Sequence, residues 1–133
     1  IEFVEQNYRV NAEKGQRAIA GLSMGGFHSL HISRLHPHTF DYIGLFSPAI
    51  YPLAGSIPEI YMNMDDSLSA QKNNGYSLYW IAIGKNDFLF DQVARYRANL
   101  SSLGLPFTYI ETEGGHTWDL WRNYLSQFVT LLF

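Results

Sequence analysis

The sequence predicts an α/β fold, a parallel sheet of about four strands with helices on both faces. Three observations predict it. Short apolar runs alternate with helical patterns four times over, with no internal repeats or low-complexity tracts. One run passes into a helix through Gly21-Leu22-Ser23-Met24-Gly25, a match to the G-x-S-x-G turn that lifts a serine above the end of a strand. Asp87 and His116 follow the ends of two later runs. Open parallel sheets build their sites at such carboxyl ends.

Taken in order, Ile1 to Tyr8 places Ile1, Val4 and Tyr8 on one short helical face, and the polar stretch Asn11 to Gln16 reads as a loop. The first strand is Arg17 to Gly21. In the turn that follows, the serine needs small neighbours two before and two after it. Gly21 and Gly25 meet that need, and Gly26 lets the helix lie closer. The helix runs to about Leu35, with Phe27, Leu30, His31 and Leu35 on its inner face, and Pro37 stops it. Tyr42 to Phe46 is a short buried-type strand. Ser47-Pro48 through Pro58 is loop, with three prolines and Gly55. Ile60 to about Gln71 reads as helix, and Asn73-Asn74-Gly75 as a turn. The most apolar strand, Leu78 to Ile83, ends at Gly84. An amphipathic helix, Phe90 to Leu103, is closed by Gly104 and Pro106. The fourth strand is Phe107 to Glu111. A Gly114-Gly115-His116 turn leads into a last helix from about Trp118 to Leu132, packed through Trp121, Tyr124 and Phe128.

Composition narrows the function. With 133 residues, 47% of them apolar, the chain can bury one core and is too short for two ordinary domains. A net charge of −3 without a basic run argues against a nucleic-acid partner. The absence of cysteine excludes a thiolate nucleophile and a Cys-based zinc site. No apolar run approaches the roughly 18 residues that cross a bilayer. The chain opens at Ile1, without a methionine and inside a helical pattern, so it reads as a piece of a longer protein whose upstream part would carry any export signal.

The chemistry lies in three residues. A serine hydroxyl is a weak nucleophile until a base takes its proton, and histidine suits that task near neutral pH. A carboxylate then holds the imidazole tautomer and stabilises the imidazolium. The chain order Ser23, Asp87, His116 is that of α/β-hydrolases. Each residue has a plainer reading beside this one. Ser23 could cap the helix that follows, and His116 could be a surface turn residue. Asp91 competes with Asp87 as the carboxylate, or simply sits in the first turn of its helix. Asp119 reads as a helix-start residue, and Asp65-Asp66 as a solvated face. His28, His31 and His36 suggest a metal, but no carboxylate completes a recognisable ligand set, so packing is the better reading and no cofactor is expected.

Gly21-Leu-Ser-Met-Gly-Gly26, Gly84-Lys-Asn-Asp87 and Gly114-Gly-His-Thr-Trp118 together resemble the motifs of the "Putative esterase" family of α/β-hydrolases. So do the Arg17-Ala-Ile-Ala-Gly lead-in and Asp41-Tyr-Ile-Gly-Leu-Phe-Ser-Pro48. That family includes feruloyl and acetyl-xylan esterases, esterase D (S-formylglutathione hydrolase), enterochelin esterases and mycolyltransferases. The Gly-Gly-His-Thr-Trp and Phe-Ser-Pro segments are more similar to the xylanase-associated feruloyl esterases than to esterase D. The likeness spans the whole chain but only the C-terminal half of the family's domain.

Several expectations follow from the resemblance. Ser23 is the nucleophile, His116 the general base and Asp87 the orienting acid, and the Met24 backbone N–H is one oxyanion donor. The second donor belongs to a loop outside this chain, so the chain alone is expected to be a poor catalyst. The reaction is hydrolysis of acetyl or feruloyl esters on carbohydrate. Transfer to another acceptor, or a non-catalytic binding module, are the alternatives. Trp118 and Tyr51 could wall the acyl or sugar pocket, although core packing explains aromatics equally well. The resemblance favours a periplasmic or secreted protein. The family's early strands would pair along the outer edge of the 17–21 strand, which leaves Ala18-Ile19-Ala20 open to the missing half or to a second copy.

Overall fold

The computed structural model describes residues 1–52 and 59–133, so the 53–58 part of the predicted loop, with Gly55 and Pro58, lies outside the described residues. Four strands, β1 (Ala18–Leu22), β2 (Tyr42–Phe46), β3 (Leu78–Gly84) and β4 (Thr108–Thr112), form one sheet in the order β1-β2-β3-β4. Every neighbouring pair is parallel, with Ala20 opposite Gly44, Gly44 opposite Trp80 and Trp80 opposite Thr108. The helices are α1 (Glu2–Asn7), α2 (Met24–Leu35), α3 (Met64–Asn74), α4 (Phe90–Ser102) and α5 (Trp118–Val129).

Alternation along the strands assigns α2 to α5 to their layers. Ile43, Leu45, Tyr79, Ile81 and Ile83 point to one face and pack with Leu30 of α2, Leu68 of α3, and Val93, Tyr96 and Leu100 of α4. Phe46, Trp80 and Ala82 point to the other and meet Trp121, Tyr124 and Phe128 of α5. The parallel sheet with helices on both faces is therefore present as predicted. The consequence for function is positional: the segments after β1, β3 and β4 all leave the sheet at its carboxyl end.

Three local expectations differ from the structure. Ile1, Val4 and Tyr8 are exposed, so α1 buries no face and is tied instead by Arg17, which donates to Glu5 Oε1 and to the Ala12 carbonyl. The predicted helix from Ile60 is split into a 3-10 turn, Glu59–Tyr61, and α3, because Asn63 takes a left-handed conformation with φ 54°. Leu35 is exposed at the end of α2.

The histidines of α2 separate. His28 and His36 are exposed, while His31 is buried beside the buried Arg34. Arg34 Nε donates to His31 Nδ1 at 3.1 Å, and its guanidinium also reaches Ser67 Oγ and the Ile60 carbonyl. An Nδ1 that accepts from a guanidinium belongs to a neutral ring. Burial, then the charge on Arg34 and then His28, push the His31 pKa down to about 4. An unfolded chain takes up that proton near pH 6.5, well before the folded chain does. The contribution is therefore complete above pH 6.5 and is lost as pH falls toward 4, on the order of 3 kcal/mol. Urea unfolding between pH 7 and pH 4 should show this loss, and His31→Gln should flatten the slope. An unchanged slope in the variant would contradict it.

Candidate active site

The turn between β1 and α2 is tight for a reason that backbone geometry makes explicit. Ser23 has φ 52° and ψ −116°, a conformation that L-residues rarely adopt, and its N–H donates to the Phe46 carbonyl of β2 at 2.9 Å. A Cβ on Gly21 would lie 2.2 Å from the Gly25 carbonyl oxygen, and one on Gly26 would lie 2.6 Å from Pro48 Cβ. The close approaches thus belong to Gly21 and Gly26. A Cβ on Gly25 would meet nothing among the described residues within 4 Å, which corrects the expectation that position 25 must be small for packing. Gly21→Ala is expected to cost about 3 kcal/mol, because neither backbone segment can step aside. Gly25→Ala, in the first turn of a helix, should change stability by no more than about 1 kcal/mol. Urea unfolding of the two variants checks this, and equal losses would contradict it.

Ser23 precedes α2 yet makes no side-chain capping hydrogen bond. Its Oγ lies 2.9 Å from His116 Nε2 instead. The other imidazole nitrogen, Nδ1, lies 2.9 Å from Asp87 Oδ2. Asp87 is only 4% exposed, and its second oxygen, Oδ1, accepts from the Leu89 backbone N–H at 2.9 Å. Both carboxylate oxygens are therefore engaged, one fixing the loop and one facing the imidazole. A carboxylate at Nδ1 requires the proton on Nδ1, which leaves the Nε2 lone pair to accept from the serine hydroxyl. Asp91 is exposed in the first turn of α4, the plainer of its two readings.

Two loops hold these groups in register. The Lys85 and Asn86 N–H groups donate to the Thr112 and Gly114 carbonyls, stitching the β3–α4 loop to the β4–α5 loop. The contact is so close that a Cβ on Gly84 would fall 2.2 Å from the Gly114 oxygen. Met24 opens α2, so its N–H belongs to the first turn, whose amides have no intrahelical acceptor. Together with the positive end of the helix dipole, that N–H can meet negative charge developing beside Ser23.

The aromatic expectations divide. Trp121, Tyr124 and Phe128 pack on the sheet as predicted, and Trp121 also meets the His116 ring edge-on at 4.7 Å. Trp118 is 66% exposed and touches Trp121, not the imidazole. It lines an apolar cleft of about 200 Å³ with Ala20, Gly21, Leu22 and Leu125. Tyr51 is half-buried beneath the Arg95 guanidinium, its N–H held by Gln92 Oε1 at 3.1 Å. Two larger clefts, of about 380 and 470 Å³, are lined by residues around Ile1 and Phe40 and by none of Ser23, Asp87 and His116. Phe88 escaped sequence reasoning. It is 70% exposed, yet its ring lies 4.6 Å from that of His116. Its place directly after Asp87 was the available signal.

Comparison with known proteins identifies the family and the fold. A family model described as "Putative esterase" matches residues 1–132. An acetyl esterase from Caldicellulosiruptor saccharolyticus is 27% identical over 154 residues, covering 95% of this chain and 58% of its own length. A solved ferulic acid esterase superposes with a TM-score of 0.82 at 23% identity, covering 99% of this chain and 57% of that one. An S-formylglutathione hydrolase from Staphylococcus aureus gives 0.81 at 17% identity, with 98% and 56% covered. The sheet and its helices are thus of the α/β-hydrolase type. The chain spans little more than half the length of these relatives.

Proposed function

The chain belongs to the "Putative esterase" family, and from that premise we propose that it carries the catalytic residues of a carboxylic-ester hydrolase. The observation that carries this reading is the pair of 2.9 Å hydrogen bonds linking Ser23, His116 and Asp87. Ser23 Oγ attacks the ester carbonyl carbon while His116 Nε2 takes the hydroxyl proton. The Asp87 carboxylate stabilises the imidazolium, and the Met24 N–H stabilises the oxyanion. Nε2 then returns its proton to the departing alcohol oxygen as the carbon–oxygen bond breaks. A water molecule repeats the sequence on the acyl-enzyme, releasing the acid and restoring Ser23.

We place the chain as the C-terminal part of the esterase domain, with a second oxyanion donor supplied from the remainder of the protein. Acetyl or feruloyl groups on carbohydrate are the proposed substrates, in keeping with the names of the acetyl esterase and ferulic acid esterase relatives. Trp118, exposed on its apolar cleft, is the proposed planar face for such groups, whereas the Tyr51 ring lies beneath the Arg95 guanidinium. Among the described residues the outer edge of β1 pairs with no strand, and it is the proposed place where the rest of the domain, or a second copy, adds a strand. A stable folded monomer of this chain alone in size-exclusion chromatography would count against that pairing.

The test of function is inhibition. The intact protein should hydrolyse an acetyl or feruloyl ester and lose that activity in step with labelling by a fluorophosphonate. Turnover that persists after full labelling, or a protein that neither labels nor hydrolyses, would contradict the esterase reading. Appearance of the acyl group on an added acceptor at the expense of free acid would replace hydrolysis by acyl transfer.

A further inference from the structure

The role of Phe88 follows from where the leaving group must stand. In the proposed reaction His116 Nε2 protonates the departing alcohol, so the alcohol oxygen lies within hydrogen-bond reach of the imidazole. The carbon framework attached to that oxygen must therefore lie beside the same ring. Trp121, only 7% exposed, meets the imidazole edge-on at 86° and belongs to the core under α5. Phe88 meets the imidazole at an interplanar angle of 52°, and its remaining surface is left uncovered by the described residues. Phe88 is also held in place. Asp87 before it and Leu89 after it are both buried, and the Asp87 carboxylate is bonded to the Leu89 N–H. An apolar ring kept exposed at the imidazole by two buried neighbours is a preformed platform.

Building on the esterase reading, we infer that Phe88 forms the alcohol-side subsite, the surface on which the apolar face of the leaving alcohol packs. The site then favours esters whose alcohol presents an aryl ring or the C–H face of a pyranose over esters of short alkyl alcohols. Phe88 acts on acylation alone. Once the carbon–oxygen bond has broken and the alcohol has taken its proton from Nε2, water occupies that space and the ring has no leaving group to hold.

The experiment compares benzyl and ethyl esters of one acid, chosen so that the wild type turns both over; their alcohols have similar basicity. Phe88→Ala in the intact protein should lower kcat/KM for the benzyl ester about 10-fold and that for the ethyl ester less than about twofold. Phe88→Leu should fall between. Burst kinetics with an activated aryl ester should show slower acylation and an unchanged deacylation rate. Equal losses on both esters, or a slower deacylation, would mean that the ring acts through His116, and no loss on either would remove the subsite. Failure of the esterase reading looks different: a wild type that turns over no ester and takes no fluorophosphonate label, which would remove this inference with it.

Discussion

Replacing Ser23 by alanine in the intact protein is expected to lower kcat by about 10⁶-fold while leaving the fold in place. The size of the effect follows from the geometry. The hydroxyl makes its described hydrogen bond to His116 and does not cap α2, so removing it takes away the proposed attacking atom and no structural bond besides. The unusual backbone at φ 52° is enforced by the Gly21–Gly25 and Gly26–Pro48 contacts, not by the side chain, so the turn should survive. Residual catalysis would come from binding and the oxyanion donors alone. The check is kcat alongside thermal unfolding. A variant with unchanged unfolding and a loss of less than about tenfold would show that another atom makes the acyl bond.

Asp87→Asn is the next largest, about 10⁴-fold in kcat, with Asp91→Asn expected within about twofold. An amide at position 87 can still accept from the Leu89 N–H, so the loop retains its anchor. Toward His116, however, the amide can present an N–H donor, which favours the tautomer with Nδ1 bare and the proton on Nε2. That proton then faces the serine hydroxyl and blocks its activation. Asp91 lies exposed in the first turn of α4 and makes none of these contacts. If only Asp91→Asn abolished turnover, the assignment of the carboxylate would be wrong.

These two predictions also mark how far the sequence could be read. The boundaries of α2 were legible, because a G-x-S-x-G turn starts it at Met24 and Pro37 forbids its continuation past Leu35. The four strands fell within a residue of their observed ends, since each is a short apolar run bracketed by glycine, proline or polar residues. Their places just past the carboxyl ends of β1, β3 and β4 put Ser23, Asp87 and His116 at one end of the sheet. What local pattern could not carry were contacts between segments distant in the chain. Gly25 looks equivalent to Gly21 in the motif, yet only Gly21 faces backbone. The break at Asn63 depends on one residue's tolerance of a left-handed conformation, invisible in a helical periodicity. Phe88 reads as an ordinary loop aromatic until β3 and β4 lie side by side and its ring meets His116. His31 and Arg34, a turn apart on α2, carry no hint in sequence that α3 covers them with Ser67.

In the proposed mechanism a covalent acyl group passes through Ser23, and rapid acid quenching during turnover of an activated ester would trap it there. Peptide mapping of the quenched protein should find the acyl mass on the peptide containing Ser23, approaching one group per protein, and none in Ser23→Ala. Continued ester hydrolysis with no acyl mass on that peptide, or with the mass on another residue, would contradict the account.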